Sequence, residues 1–173
     1  MNIKKLTLSA LFLALGIVLP FLTGQIPQFG KMMLPMHIPV LICGFVCGAP
    51  YGLIVGLIVP ILRSLLLGMP QMMPTAVGMA IELATYGLVT GLLYSKLKNK
   101  KFGIIITLIA SMIVGRIVWG FVSFILHKII GSVFTWKLFM AGAFLNAVPG
   151  IIVQLLLIPV LIYALKKNNL LEC

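Results

Sequence analysis

The chain has almost no acidic side chains. Of its 173 residues only two are Asp or Glu, while thirteen are Lys or Arg. One acidic residue, Glu82, lies inside an apolar stretch, and the other, Glu172, is next to the last residue. Catalysis by a pair of carboxylates needs two such groups within reach of one substrate. The sequence offers Glu82 no second carboxylate, so this class of mechanism is excluded.

Cysteines and catalytic motifs are also scarce. Three cysteines, Cys43, Cys47 and Cys173, are too few for a disulfide framework, and the C-x3-C spacing of the first two is not typical of a metal site. The sequence contains no Walker A motif, no nucleophile elbow and no H-E-x-x-H motif. We therefore expect a protein that is not an enzyme, does not itself hydrolyse ATP, and uses no cofactor and no metal.

What the sequence does contain is apolar. Hydrophobic residues make up 62% of the chain and charged residues 9%, with a mean hydropathy of +1.23. A soluble domain of this length needs far more polar surface, whereas a lipid bilayer suits this composition. At about 20 residues per crossing, the chain has room for roughly six helices. The predicted fold is an all-α integral membrane bundle, with residues 1–173 forming a single domain.

Turn residues and basic clusters divide the apolar sequence into six predicted transmembrane segments. Their approximate ranges are 6–22, 38–48, 51–68, 75–95, 102–126 and 138–165. The second segment is short, and the longest polar stretch of the chain, 23–37, precedes it.

The distribution of lysines predicts the orientation. The net charge is +11, but no basic face is interleaved with aromatic residues, so a nucleic-acid partner is not expected. With a cytoplasmic N-terminus, the lysines on the inner side are Lys4, Lys5, Lys96, Lys98, Lys100, Lys101, Lys166 and Lys167. Only Lys31, Lys128 and Lys137 then lie outside. This asymmetry predicts that both termini are cytoplasmic.

Polar residues from different segments are predicted to lie at similar depth. At about 1.5 Å per helical residue, Arg63, Glu82, Ser123 and Asn146 fall in the outer half of the bilayer. Arg116 falls near its middle. Three further candidates adjoin this layer: Tyr86, one turn after Glu82; Trp119, beside Arg116; and His37, at the end of the first loop.

Charged side chains inside a bilayer are costly and normally face a protein interior or a wet cavity. In one interpretation, Arg63 or Arg116 pairs with Glu82 as a purely structural contact in a subunit without ligand. In the favoured interpretation, two arginines against one glutamate leave a positive charge for an anionic ligand arriving from outside. A third hypothesis, a membrane enzyme using Glu82 and His127, requires both groups at one substrate, although His127 is predicted to lie nearer the outer surface.

The whole chain resembles a known family of membrane proteins. The features that carry the resemblance are six predicted helices with both ends inside, the long first loop, and the short second segment. A Gly- and Pro-rich pattern, LPMHIPVLICGFVCGAPYGLIVGLIVPILRSLL, runs over 34–66. The small residues Ala10 and Ala14, four apart on the first segment, would let another helix approach closely. The sequence is similar to the S component, the substrate-binding subunit, of energy-coupling factor (ECF) vitamin transporters.

The resemblance implies a bacterial cell-membrane protein that captures a vitamin or precursor in a pocket built by helices four to six and open to the outside. It also implies a complex with a transmembrane coupling (T) subunit, docked through Ala10 and Ala14, and two cytoplasmic ATPases. The arginine excess makes pantothenate the first candidate ligand. Niacin, folate and lipoate remain open, as does a neutral pyrimidine or pyridoxine-like compound.

Overall fold

The computed structural model describes residues 3–23, 34–133, 135–142 and 147–168. The all-helical fold is confirmed for these residues, none of which forms a strand. The helices are α1 (Ile3–Thr23), α2 (His37–Cys47), α3 (Ala49–Leu67), α4 (Val77–Leu97), α5 (Gly103–Ile130), α6 (Trp136–Met140) and α7 (Val148–Lys167). A π-helical turn, Met72–Ala76, leads into α4.

Within this described part, five helices are long and apolar enough to cross a membrane, namely α1, α3, α4, α5 and α7. The short helix α2 is different. Its 11 residues span roughly 16 Å, about half of a hydrocarbon core of about 30 Å. All of them except Ile38 are buried. The second predicted segment is therefore a half-length helix surrounded by protein, and the other helices shield it from lipid.

The sixth predicted segment, 138–165, is not one continuous helix. Its start falls in the short helix α6, and the long helix α7 begins only at Val148. Pro149 lies in the first turn of α7, where its fixed φ is favourable and its missing N–H is not needed. Residues 143–146 are outside the described part of the chain, and the candidate Asn146 is among them.

Helices α3 and α4 pack with their backbones nearly in contact. A methyl group added to Gly56 would overlap the backbone at Leu83, and one added to Gly87 would overlap Gly52. Only small residues allow two helices to approach so closely. Because the contacts repeat along both helices, they fix the antiparallel register of α3 against α4.

The lysines of α1, α4 and α7 and of the connection between α4 and α5 lie at one end of the bundle. The Lys166 side chain at the end of α7 donates a hydrogen bond to the carbonyl of Lys98, after α4, at 3.2 Å. At the opposite end, the Arg63 guanidinium near the end of α3 lies 5.5 Å from the ring centre of Phe21, near the end of α1. Helices α1 and α3 are therefore parallel, which places Lys4 with Lys98. We call this the lysine-rich end.

The glycine contact gives a prediction about stability. Replacing Gly87→Ala is expected to destabilise the protein by roughly 1–3 kcal/mol, because the methyl group would force α3 and α4 apart. Thermal unfolding in detergent measures the effect. Gly78→Ala, on the same helix, is the matched control, since its methyl group would meet its nearest neighbour at an ordinary 3.7 Å. Equal unfolding temperatures for the two variants would contradict the close-contact account.

Candidate functional site

A single carboxylate joins three helices inside the bundle. One oxygen of Glu82, Oε1, lies 3.1 Å from Nη1 of Arg116 on α5. The same oxygen accepts a hydrogen bond from the Tyr86 hydroxyl at 3.0 Å, and Nε2 of His37 on α2 lies 3.8 Å away. All four residues are buried. We call them the Glu82 cluster.

Local sequence explains why these side chains meet. Glu82 and Tyr86 are four apart on α4 and so share one face of the helix. Gly115 on α5 leaves room for Tyr86, because a methyl group there would overlap the phenol ring. His37 is the first residue of α2, and its ring centre lies 5.3 Å from that of Tyr86, with the planes tilted by 57°.

The cluster retains unused hydrogen-bonding capacity. Neither Nε of Arg116 nor either ring nitrogen of His37 has a hydrogen-bond partner among the described residues. The 3.8 Å separation between His37 and Glu82 is too long for a hydrogen bond. Donors left without a partner in a buried site carry a desolvation cost of about 1–3 kcal/mol each. The cluster can therefore accept a further polar partner.

A large cavity adjoins the cluster at Arg116. It lies between α5, α6 and α7 and has a volume of about 1030 Å³. Ligand pockets commonly measure about 300–1,000 Å³. Arg116 is the one charged side chain among the described residues that line it, and much of the wall is aromatic, from Phe121, Phe124, Trp136 and Phe139. Arg116 thus contacts Glu82 and also borders the cavity.

Gln154 on α7 is a candidate that the sequence did not reveal. Its side chain is 1% exposed, and neither the amide nitrogen nor the amide oxygen has a partner in the described part of the chain. Ile151 and Leu155, its neighbours on α7, line the cavity. A neutral amide in an apolar helix does not stand out in the sequence as a charged residue does. Gln154 is recognised as a candidate only because it is buried without a partner in the described structure.

Trp119 and Ser123 continue along α5 from Arg116 towards the end opposite the lysines. They flank Gly78 of α4, where an added Cβ would lie 3.7 Å from Ser123 Oγ and 3.8 Å from Trp119 Nε1. The Trp119 ring stacks on Phe139 of α6, with centres 6.3 Å apart. Both residues therefore lie near Gly78, about one turn outward from Glu82 on α4, and Trp119 also contacts α6.

Arg63 does not join the cluster. Its Nη1 lies 3.5 Å from Sδ of Met36, and it has no carboxylate partner among the described residues. The register of α3 against α4 explains this position. Gly56 faces Leu83, and Arg63 is seven residues farther along α3, roughly 10 Å outward. The expectation that Arg63 and Glu82 share one depth is wrong by that distance.

The two candidate docking residues are on the surface. Ala10 and Ala14 are exposed on α1, whereas Ser9, Phe12 and Gly16 form its buried face. Ala10 and Ala14 therefore leave a small-residue surface open for another helix.

The Glu82–Arg116 pair gives a second stability prediction. Arg116→Gln is expected to destabilise the protein by about 3–5 kcal/mol, because it leaves a buried carboxylate unpaired. The double variant Glu82→Gln/Arg116→Gln removes both charges and is expected to regain most of that loss. Unfolding of the purified variants in detergent tests this. A double variant no more stable than Arg116→Gln alone would show that the pair does not act as a unit.

Comparison with known proteins bears on the role of this site. The family model for the substrate-specific component of ECF transporters matches residues 4–162, a range that contains the Glu82 cluster and all residues that line the cavity. No curated protein sequence matches the chain. Members of this family are transporter subunits with a substrate-binding role, not enzymes. This multi-pass membrane protein belongs to the family of ECF transporter substrate-specific components.

Proposed function

We propose that the chain captures a small anionic vitamin or vitamin precursor from outside a bacterial cell and holds it in the cavity bordered by Arg116. The proposal rests on Arg116, which contacts both Glu82 and the cavity. Its guanidinium contacts Glu82 at 3.1 Å, and Arg116 is also one of the residues that line a cavity of about 1030 Å³. A ligand in this cavity would therefore meet a positively charged group held in place by a buried carboxylate.

The charge balance supports an acidic ligand. Glu82 pairs with Arg116. Arg63 does not line the cavity, but its guanidinium faces no carboxylate in the described ranges and so adds positive charge farther out along α3. The Nε atoms of Arg63 and Arg116 are both buried without a hydrogen-bond partner there. A carboxylate suits the planar fork of arginine, which can donate two parallel hydrogen bonds.

The cavity wall restricts the rest of the ligand. Apart from Arg116 and Thr135, the described lining residues are apolar or glycine. An acidic group would lie at Arg116 and the body of the ligand against Phe121 and Phe139. Pantothenate remains the first candidate, and its hydroxyl and amide groups would require polar partners such as Ser123 and Gln154. Nicotinate and lipoate, with more apolar bodies, are the competitors that the lining favours.

The proposal includes an orientation in the membrane and a route of delivery. The lysine-rich end faces the cytoplasm, because membrane proteins carry an excess of lysines on that side. A transmembrane coupling subunit docks on α1, and two cytoplasmic ATPases supply the energy. Ala10 and Ala14 lie at the surface of α1, which supports docking at this helix.

Two other functions have less support. A ligand-free assembly subunit would explain the Glu82–Arg116 pair but gives no role to the cavity or to the unpaired amide of Gln154. A membrane enzyme would need Glu82 and His127 together. His127 is eleven residues beyond Arg116 on α5, roughly 16 Å farther along the helix, and its Nδ1 lies 2.8 Å from the backbone carbonyl oxygen of Ser123.

Acidic vitamins and their amides test the charge requirement. We expect pantothenate or another acidic vitamin to raise the unfolding temperature of the purified protein, while its carboxamide counterpart does not, because only the carboxylate pairs with arginine. A saturating ligand at about 100 times Kd stabilises by about 2.7 kcal/mol. The double variant Glu82→Gln/Arg116→Gln, if it regains stability as expected, should lose this response. Equal stabilisation by acid and amide would contradict an anionic ligand, and no response to any vitamin would contradict ligand capture.

Bulky residues on α1 test the docking surface. Ala10→Leu/Ala14→Leu is expected to abolish co-purification with the coupling subunit while leaving ligand binding intact, because the larger side chains block close helix approach. Ala164→Leu places a leucine at another exposed alanine, on α7, and serves as the control. Undiminished co-purification of the α1 variant would overturn this assignment.

A further inference from the structure

A second concave site lies at the lysine-rich end of the protein, remote from the cavity at Arg116. It has a volume of about 420 Å³ and is formed by the α4–α5 connection together with the last turns of α7. Its basic lining residues are Lys98, Lys100, Lys101, Lys166 and Lys167. The hydrogen bond of 3.2 Å from Lys166 Nζ to the Lys98 carbonyl holds the two segments together.

The charge of this site is unbalanced. None of its lining residues in the described part of the chain is acidic, so five lysines line one concavity without a carboxylate among the residues described there. Cytoplasmic orientation requires only that lysines lie on one side of the membrane. It does not require segments more than 60 residues apart in sequence (Lys98 and Lys166) to converge on one concavity. A bound anion would offset the repulsion between the lysines.

The start of α5 adds to the positive potential. This helix of 28 residues begins at Gly103, two residues after Lys101, and Ile104 in its first turn lines the cavity. The N-terminus of a long helix carries a partial positive charge and presents backbone N–H groups to anions, phosphate in particular. Lysines and helix terminus therefore favour the same kind of ligand.

Apolar and aromatic surface continues directly from the basic site. Tyr163, which lines the cavity, is 69% exposed, and Phe102, which follows the lining residue Lys101 in the chain, is 59% exposed. Tyrosine and other amphipathic rings are typical of the membrane–water interface. Farther along α5, Ile105 and Ile109 are exposed as well. A ligand whose phosphate lies at the lysines and whose hydrocarbon chains lie along α5 would match this arrangement of basic and apolar surface.

We propose that this cavity binds the phosphate headgroup of an anionic phospholipid from the leaflet that the lysine-rich end faces. The lysines and the first turn of α5 contact the phosphate, and the acyl chains lie along the exposed apolar residues of α5 and α7. Basic cavities between transmembrane helices are suited to such headgroups. This site is independent of vitamin capture, and each can fail without the other.

Titration of a fluorescent phosphatidylglycerol into the purified protein in neutral detergent tests the proposal. Lys100→Gln/Lys167→Gln should weaken binding by roughly 25-fold, since each lysine near an anionic lipid contributes a factor of about five. Neither side chain makes the Lys166–Lys98 contact, so the cavity should keep its shape. The control, Lys4→Gln/Lys5→Gln, removes the same charge at the same end outside the cavity and should leave the affinity little changed. Equal weakening in both double variants would show that only net charge matters and would contradict a specific lipid site in this cavity.

Two competitors distinguish the source of the phosphate. Unlabelled phosphatidylglycerol should displace the probe, whereas phosphatidylcholine and inorganic phosphate at the same concentration should not. Displacement by inorganic phosphate as effective as that by phosphatidylglycerol would show a site for free phosphate and contradict the lipid assignment. Displacement by phosphatidylcholine with equal effect would show that the anionic headgroup is not recognised.

Discussion

The contact between Glu82 and Arg116 is the interaction on which the interior of this protein depends. Arg116 lies in the middle of the longest helix, where an unpaired charge would be expensive in lipid. Glu82 supplies the opposite charge at 3.1 Å and also accepts the hydroxyl of Tyr86. Because the chain has only one other acidic residue, no second pair of this kind is available to position α4 against α5.

Glycines make that contact geometrically possible. Gly115 leaves space for the Tyr86 ring, and Gly52, Gly56 and Gly87 let α3 and α4 approach to backbone contact. The short helix α2 is thereby enclosed by its neighbours, and His37 is carried to within 3.8 Å of Glu82. Protein around α2 replaces lipid, so a helix too short to cross the bilayer can occupy its interior.

The sequence predicts correctly those features that depend on the length of apolar segments. It fails for features that depend on how the helices pack against each other. Apolar runs were enough to predict the long helices, and rare charges were enough to single out Glu82 and Arg116. Counting residues from the helix ends predicted a similar depth for Arg63 and Glu82, but the glycine contacts set a register in which Arg63 lies roughly 10 Å farther out. Such a register depends on which glycines face each other, and this cannot be read from one sequence. Gln154 was missed because an amide among leucines becomes conspicuous only once its burial without a partner is seen.

The central claim is that Arg116 serves the protein interior and a ligand at once. A crystal structure of the protein bound to the acidic vitamin that stabilises it most would test this directly. We expect the carboxylate of the ligand to contact the Arg116 guanidinium in the cavity between α5 and α7, with Glu82 still at hydrogen-bond distance on the other side. A ligand bound elsewhere, or an Arg116 contacted by Glu82 alone, would contradict it.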